Sequence, residues 1–255
     1  MDVHLPAGHP GERISAPQVT AGAAGSRVLL HVPHAGTLVP SWVRANLLLD
    51  DAELAAEIAA LTDHHTDALA LAAADRAAVP PSVVVNSVSR FVVDVERFPD
   101  AREEMAAVGM GAVYTHGTRR QRLRADAPAH AEALLAAYFR PWGQAVAGLV
   151  DAGAAVLLDV HSYPREPLPY ERHADGPRPP VCLGTDPAHT PSWLSAAAQT
   201  AFADFDIGLN SPFSGAYVPE GRAAAALMIE IRRDVQAARE ADLVAALAAL
   251  VDAAT

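Results

Sequence analysis

Two histidines stand at the ends of apolar, strand-like runs. His34 closes the segment RVLLHVPH and is followed by Ala and Gly, so a tight turn is expected there. His161 closes the run AAVLLDVH. Parallel strands end at one edge of a sheet, and binding sites gather at that edge, so both imidazoles are candidate metal ligands. The competing interpretation of His34 alone is a loop histidine that hydrogen-bonds the backbone.

A carboxylate ends a third apolar run, MIEIRRD. Glu230 lies where this strand should open onto a cleft, which makes it a candidate general base. An isolated glutamate in such a place more often pairs with a nearby arginine. Two histidines and one glutamate at three separate strand ends, however, favour a catalytic cluster over three unrelated side chains.

The segment TDHHTD adds two carboxylates and two adjacent imidazoles. Zinc binds carboxylate oxygen readily, and two histidines plus one acidic residue with an open position is a known catalytic arrangement. We expect Asp63 to be the third ligand, in preference to Asp67, His64 or His65. The alternative is that Asp63 caps a helix that begins here.

Other polar side chains are expected to support the ligands. Asp159 precedes His161 by two residues, so strand alternation points both side chains to one face. A carboxylate placed in this way can orient a ligating imidazole, although a helix cap or an arginine partner would also explain it. We expect Ser162 and Asp67 to support the ligands in the same way.

Arginine suits a substrate carboxylate because its planar guanidinium is always charged and can bind both oxygens. Arg90 and Arg97 lie in SRFVVDVER, a run with strand character. Both are candidate substrate-binding residues. The alternative is structural pairing, of Arg90 with Asp94 and of Arg97 with Glu96 or Asp100.

Strand-like runs alternate along the chain with Ala- and Leu-rich stretches of helical spacing. The strand candidates are Arg27–Pro33, Val83–Val95, Ala154–His161, Val181–Gly184 and Ala226–Ile231. The helix candidates are Leu54–Leu61, Ala129–Val150, Ser192–Phe205 and Val235–Val251. This alternation predicts an α/β fold, with a mostly parallel mixed sheet flanked by helices on both faces. We expect one domain over residues 27–255, after a flexible N-terminal tail over residues 1–26.

The overall charge argues against several classes of partner. The 255 residues carry 19 basic and 30 acidic groups, a formal charge of -11 that repels nucleic acid and anionic lipid. The apolar runs are short or interrupted by charges, so no membrane span is expected. The single cysteine, Cys182, is consistent with a reducing cytoplasm, where we expect a monomer or homodimer acting on a small molecule.

The order of the motifs resembles the N-formylglutamate amidohydrolase family. From about Leu29 to Asp234 these motifs are HVPHAG, TDHHTD, SRFVVDVER, LLDVHSYP, CLGTD, NSPFSGAYV and MIEIRRD. That family is similar in fold to the zinc carboxypeptidases and the aspartoacylase group, which implies a zinc-carboxypeptidase-like fold and one Zn²⁺ or another divalent ion. By this resemblance His34 and His161 match the histidine ligands, and Glu230 matches the glutamate that activates the metal-bound water.

The resemblance implies hydrolysis of an N-formyl or N-acyl amino acid, with N-formylglutamate as the reference substrate. The products would be formate, or another carboxylic acid, and the free amino acid. Zinc would polarise the scissile carbonyl and lower the pKa of its bound water. Arg90, Arg97 and Asn210 would bind the substrate.

The sequence departs from the pattern at three places that affect the site. The carboxypeptidase pair His-x-x-Glu is absent, because Thr37 follows His34 by three residues, so the acidic ligand must come from elsewhere. Members that act in histidine breakdown usually carry Asn-Arg where this chain has Glu96 and Arg97, and a bulkier aromatic-glycine pattern where this chain has NSPFSGAY. The last two changes indicate a changed pocket, and with it a different acyl group or amino acid.

Two other functions compete with this interpretation. The first is a zinc peptidase or deacylase that acts on a different amide. The second is a metal-binding or interaction protein that has kept the fold without catalysis. Glu230 argues against the second, because water activation requires it and metal binding does not.

Overall fold

The computed structural model describes residues 17–171 and 175–255. Within these residues, seven strands form one mixed sheet in the order β1-β3-β2-β4-β7-β5-β6. The strands are β1 (Gln18–Thr20), β2 (Val28–Val32), β3 (Ser82–Val85), β4 (Val156–Tyr163), β5 (Val181–Gly184), β6 (Ile207–Leu209) and β7 (Ala225–Arg232).

Helices lie between β2 and β3, between β3 and β4 and between β5 and β6, and two more follow β7. The helices are α1 (Ser41–Arg44), α2 (Asp51–Leu61), α3 (Thr66–Arg76), α4 (Pro128–Leu134), α5 (Arg140–Asp151), α6 (Ser192–Ala201), α7 (Arg233–Ala238) and α8 (Glu240–Ala254). A 3₁₀ helix spans Glu104–Val108, and a π-helical turn, Leu135–Phe139, joins α4 to α5. In the described part of the chain, no helix is both long enough and apolar enough to cross a membrane.

Most neighbouring strands run parallel. The pairs β2–β3, β2–β4, β4–β7 and β5–β6 are parallel, whereas β1–β3 and β5–β7 are antiparallel. Parallel neighbours require crossover connections, and helices supply them here. The predicted α/β domain with a mostly parallel mixed sheet is therefore confirmed.

Alternate residues of the central strands face two separate cores. Leu30, Leu158 and Ile229 pack on one side against α3, α6 and α8. Leu29 and Leu157 pack on the other side against α4 and α5. Because these strands are buried on both faces, successive residues are apolar, and the strands are nearly continuous apolar runs in the sequence. Helices therefore lie on both faces, as predicted.

The strand expected over Val83–Val95 is much shorter in the structure. β3 ends at Val85, and the Asn86 side chain then binds the backbone of the loop after β2 and of its own turn. Its amide donates to Pro33 O at 3.0 Å, and its Oδ1 accepts from Val88 N at 3.1 Å. The rest of SRFVVDVER is irregular, which lets its charged side chains turn towards the strand ends.

Two edge strands were not predicted. β1 pairs antiparallel with β3, so the described part of the predicted N-terminal tail contributes a strand to the sheet. β6 pairs with β5 at the opposite edge. Each has only three residues and is partly or fully exposed, which leaves almost no hydrophobic pattern to detect. Residues 1–16 of the predicted tail lie outside the described residues.

The turn that carries His34 depends on a glycine. A Cβ on Gly36 would lie 2.3 Å from the carbonyl carbon of Ser87, so a side chain there would displace the backbone. The close approach is fixed by Leu38 N, which donates to Ser87 O at 3.1 Å. The small residue in HVPHAG therefore allows this turn to pack against the chain that follows β3.

Candidate metal and catalytic site

Four polar side chains project from one face of the sheet at the carboxyl ends of three neighbouring strands. The register places His31 beside Asp159 and His161 beside Glu230. The residues that alternate with them face the opposite core, so all four lie on the side covered by α5. Parallel pairing thus brings His161 and Glu230 together, although β4 and β7 are far apart in the sequence.

Three predicted ligands converge at this edge of the sheet. His34 Nδ1 lies 3.3 Å from His161 Nδ1, and Asp63 Oδ2 lies 3.0 Å from His161 Nδ1 and 3.8 Å from His34 Nδ1. All three residues are buried. Asp63 reaches them from the connection between α2 and α3, where its backbone N–H donates to His34 O at 3.0 Å.

The spacing of these atoms fits a tetrahedral metal ion. Zinc bonds of 2.0–2.1 Å separate tetrahedral ligand atoms by about 3.3 Å. The three observed separations, 3.3, 3.0 and 3.8 Å, lie around this value. Two imidazoles and one carboxylate also form a suitable donor set for zinc, with a position left for water or substrate.

The outer nitrogens of both imidazoles are held by carboxylates. His34 Nε2 donates to Asp94 Oδ1 at 2.9 Å, and His161 Nε2 lies 3.0 Å from Asp159 Oδ1. With the proton on each Nε2, both Nδ1 atoms present lone pairs towards the oxygen of Asp63. In this tautomeric state three acceptors face one another, an arrangement that a bound cation would satisfy.

The electrostatic field around the cluster also favours a positive charge at this position. Burial opposes a charge on His161, but the carboxylates of Asp159 and Glu96 outweigh it and hold the pKa of His161 well above its ordinary value. A proton on His161 and a metal ion therefore satisfy the same negative field. Metal ions bind the deprotonated form of histidine, so metal binding would displace this proton.

Asp94 is itself anchored by several buried groups. Arg90 donates to Asp94 Oδ2 through Nη2 at 2.8 Å and Nε at 3.2 Å, and the Tyr114 hydroxyl donates to the same oxygen at 2.5 Å. Burial would raise the pKa of Asp94, but Arg90 and His34 hold it well below its usual range. The carboxylate is therefore ionised and fixed behind His34.

Asp63 has an orienting partner too. Its second oxygen, Oδ1, lies 3.5 Å from Arg233 Nη2. Arg233 is held by Ala60 O, which accepts from Nη1 at 2.7 Å, and its Nε donates to Ser162 Oγ at 3.4 Å. Ser162 thus lies beside Arg233, which contacts Asp63. Each of the three candidate ligands therefore has a polar partner on the side away from the metal position: Asp94 for His34, Asp159 for His161 and Arg233 for Asp63.

Glu230 faces the same cavity as the three ligands. It is buried, and among the described residues its Oε2 has no hydrogen-bond partner. Burial raises the pKa of Glu230 to about 8. A carboxyl group with a pKa near neutrality can both accept and return a proton, as a general acid/base must.

The two predicted arginines occupy different positions. Arg90 is partly buried and hydrogen-bonds Asp94, which is the structural pairing that the sequence left open. Arg97 is less constrained, with Nε 3.7 Å from Asp94 Oδ2 and Nη1 3.6 Å from Glu103 Oε1. Both line the cavity. Arg97 is the more available of the two for a substrate carboxylate.

The structure does not bring Asn210 or Asp67 to the cavity. Asn210 has a left-handed backbone, which asparagine tolerates, and its Oδ1 accepts from Thr185 N at 2.7 Å. Asp67 lies in the first turn of α3, where a negative charge complements the helix dipole. His64 instead binds Ala59 O at 2.9 Å, and His65 is exposed.

Glu96 and His31 form a second group of donors beside the first, together with Asp159. Glu96 Oε2 lies 3.5 Å from His34 Nδ1 and 3.4 Å from His161 Nε2. His31 Nδ1 donates to Asp159 Oδ1 at 2.8 Å. That distance is a hydrogen bond and is short for two ligands of one metal ion, so His31 acts as a support for Asp159.

Sequence reasoning did not assign roles to Asp94, Arg233 or His31. Asp94 was considered only as a partner for Arg90, because SRFVVDVER was interpreted as a strand. His31 could have been found by strand alternation, since its place in β2 puts it on the same face as the polar residues of β4. Arg233 follows the β7 strand and carries no pattern that indicates Asp63 as its neighbour.

Comparison with known proteins identifies the family. A family profile described as N-formylglutamate amidohydrolase matches residues 26–237. No curated protein sequence matches the chain. A crystal structure of N-formylglutamate amidohydrolase from Ralstonia eutropha JMP134 has a TM-score of 0.73 and 20% identity, covering 93% of this chain and 96% of that one. A gene product of Agrobacterium tumefaciens has a TM-score of 0.69 and 20% identity, covering 91% of this chain and 90% of that one.

The two solved structures share the fold of this chain. The family profile covers most of the sequence. The chain therefore belongs to the N-formylglutamate amidohydrolase family, whose members are hydrolases that act on an amide.

Proposed function

We propose that this protein is a zinc-dependent amidohydrolase that cleaves the amide bond of an N-formyl or N-acyl amino acid of the N-formylglutamate type. The products are formate, or another carboxylic acid, and the free amino acid. Membership of the family supports the reaction class. The observation that supports the metal dependence is the convergence of three buried ligand atoms, His34 Nδ1, His161 Nδ1 and Asp63 Oδ2, at distances that suit a tetrahedral ion.

His34, Asp63 and His161 would hold the metal ion. When bound there, zinc supplies Lewis-acid chemistry, which polarises the scissile carbonyl and acidifies a water molecule. The protein's own contribution is to fix the ligands. Asp94 and Asp159 hold the outer nitrogens of the imidazoles, so each ring keeps its lone pair directed at the metal position.

Glu230 moves the proton. Its unpartnered oxygen accepts the proton of the attacking water, and the carboxyl group then returns that proton to the leaving nitrogen. Burial raises the pKa of Glu230, and a cation at the neighbouring metal position would lower it again and favour the carboxylate that accepts the proton. Burial also keeps bulk water away from the carboxyl group, so proton transfer is confined to the reacting atoms.

Arg97 is the residue proposed to bind the substrate carboxylate. Its guanidinium lines the cavity and makes only long contacts with Asp94 and Glu103. A substrate carboxylate can therefore pair with Arg97 without first breaking a short ion pair. Arg90 stays bound to Asp94, so it adds positive charge near the substrate carboxylate without binding it directly.

The experiment is an assay of formate release from N-formylglutamate by purified protein before and after chelation. We expect activity in the zinc-loaded protein, loss of activity after the metal is removed, and recovery on addition of zinc. Magnesium should not restore activity, because it prefers an octahedral shell of oxygen atoms to imidazole. Zinc-loaded protein that releases no formate and no other acid from any N-acyl amino acid would contradict the proposal, as would full activity without metal.

A further inference from the structure

The cavity above the metal cluster is larger than N-formylglutamate requires. Its volume is about 920 Å³. Cavities of about 300–1,000 Å³ typically enclose drug-sized ligands, and N-formylglutamate is much smaller than these. Part of the cavity is therefore available to a substrate group that formyl does not provide.

Among the described residues, five arginines line this cavity, and three of them lie beside the metal cluster. The other two, Arg102 and Arg140, are about half exposed and pair with other carboxylates. Arg233 is tied to the carboxyl end of α2 through Ala60 O at 2.7 Å, and Arg90 reaches the same helix end through Leu61 O at 3.5 Å. Arg97 Nε lies 3.7 Å from the Asp94 carboxylate that Arg90 binds. A substrate carboxylate attracted to these guanidinium groups would lie beside the metal cluster.

Another part of the lining is an apolar wall formed by Phe139, Gly143, Ala147, Ala216 and Val218, which we call the α5 wall. Arg140 and Gln144 line the cavity next to it. Phe139, Gly143 and Ala147 recur at intervals of four residues, so they share one helical stripe. Phe139, Ala216 and Val218 also pack against the hydrophobic cluster beneath α4 and α5. The wall is thus supported by the core and is not a mobile surface patch.

The α5 wall begins directly beside the catalytic cluster. Tyr217 lies between Ala216 and Val218, and its ring stacks on His31 with a centroid distance of 4.6 Å. Trp142, next to Gly143, packs against the other side of the same imidazole at 5.1 Å. His31 in turn donates to Asp159, which holds His161. A group that extends from the metal position towards His31 therefore meets the wall.

From this arrangement we propose that the α5 wall is the acyl-binding subsite, and that the preferred substrate carries an apolar acyl group larger than formyl, such as a medium-length aliphatic chain. This inference rests on the proposed amidohydrolase function. With the substrate carboxylate bound by Arg97 and the amide carbon at the metal position, the acyl substituent lies on the far side of the amide from that carboxylate, where it can reach the wall. A formyl group carries only a hydrogen atom at this position, so the apolar side chains of the wall would stay exposed to water. An alkyl chain would cover these side chains, and burial of the apolar surface would favour binding.

Gly143 offers a direct way to fill this subsite. A Cβ built on Gly143 meets no atom within 4 Å, so a larger side chain would project into open space along the wall. Leucine also favours helix over glycine, so the substitution should not unfold α5. Gly148 is the matched control, because it lies on the same helix, has the same free space and does not line the cavity.

The experiment compares kcat/KM for N-formyl-, N-acetyl-, N-butanoyl- and N-hexanoylglutamate in the wild type, Gly143→Leu and Gly148→Leu. We expect the wild type to prefer hexanoyl over formyl by at least tenfold. Gly143→Leu should lower the hexanoyl-to-formyl ratio at least tenfold, and Gly148→Leu should keep the wild-type ratio. Ala147→Leu, one turn further along the wall, should shift the ratio in the same direction as Gly143→Leu.

Three results would overturn this inference. A wild type that cleaves formylglutamate best, with kcat/KM falling as the acyl chain lengthens, would refute the subsite and leave the amidohydrolase function intact. An unchanged ratio in Gly143→Leu would refute the assignment to the α5 wall. Hydrolysis of none of the four amides by zinc-loaded protein would overturn the proposed function as well as the subsite.

Discussion

His34 Nε2 lies 2.9 Å from Asp94 Oδ1, and this hydrogen bond connects the candidate metal site to a buried polar chain. Asp94 also accepts from Arg90 and Tyr114 through its other oxygen. The imidazole is thereby held with its Nδ1 towards His161 and Asp63. The geometry of the metal site therefore depends on residues that do not touch the metal position.

Replacing Asp94 with asparagine tests this dependence. The amide cannot supply the negative charge that orients His34, so we expect zinc affinity to fall about 10–100-fold, as for other carboxylates that support a ligating histidine. The measurement is competition for zinc against a chromophoric chelator. Asp151→Asn is the control, because Asp151 is exposed and pairs with Arg222 away from the cavity. Equal zinc affinity in Asp94→Asn and wild type would refute the supporting role.

Replacing Glu230 with glutamine separates catalysis from metal binding. The amide has similar shape but cannot accept the proton of water, so kcat should fall by about 10²–10⁴-fold. Zinc content should stay at the wild-type level, because Glu230 is not one of the three converging ligands. The comparison needs both a turnover assay and metal analysis on the same preparation, with Glu240→Gln on α8 as the control. Loss of zinc together with activity would show that Glu230 is a ligand and not the proton acceptor.

The two arginines should respond differently to alanine substitution. Arg97→Ala removes the less constrained guanidinium, so we expect KM for a dicarboxylic substrate to rise at least tenfold while zinc affinity is kept. Arg90→Ala removes the partner of Asp94, so zinc affinity should fall. The checks are steady-state kinetics and zinc competition for both variants. If neither parameter changes in either variant, neither arginine has the role assigned to it.

Glu57 provides a test of stability away from the site chemistry. This buried carboxylate accepts from Thr118 N at 2.7 Å, Thr118 Oγ1 at 2.9 Å and Gln121 Nε2 at 2.5 Å. Glu57→Ala would leave these donors without their acceptor and lower the free energy of unfolding by about 1–3 kcal/mol. Urea denaturation measures the change. The control is Asp75→Ala at an exposed position, whose free energy of unfolding should stay within about 0.5 kcal/mol of the wild-type value. An equally small change in Glu57→Ala would contradict the prediction.

The sequence predicts those features that follow from local pattern. Buried parallel strands are continuous apolar runs, so a polar residue at the end of a run, such as His161 or Glu230, is visible without a structure. Asp63 was selected by the chemistry of zinc, and the structure brings it within 3.0 Å of His161.

Features that depend on tertiary contacts are not visible in this way. The run containing Asp94 has strand-like composition, but the turn at Asn86 ends the strand and directs the carboxylate towards His34. Asn210 lies in a motif of the family, yet local hydrogen bonds with Thr185 hold it away from the cavity. The α5 wall combines a helix and a loop far apart in sequence, so neither part alone indicates a subsite.

The most direct test of the account is the metal content of the purified protein and its variants. We predict one zinc ion per chain in the wild type, loss of that zinc in His34→Ala and His161→Ala, and its retention in His64→Ala, whose imidazole neighbours Asp63 but binds Ala59 O. Elemental analysis after dialysis against metal-free buffer, with protein concentration measured in parallel, gives these stoichiometries. Stoichiometric zinc in both His34→Ala and His161→Ala, or full amide hydrolysis by zinc-free protein, would contradict the account.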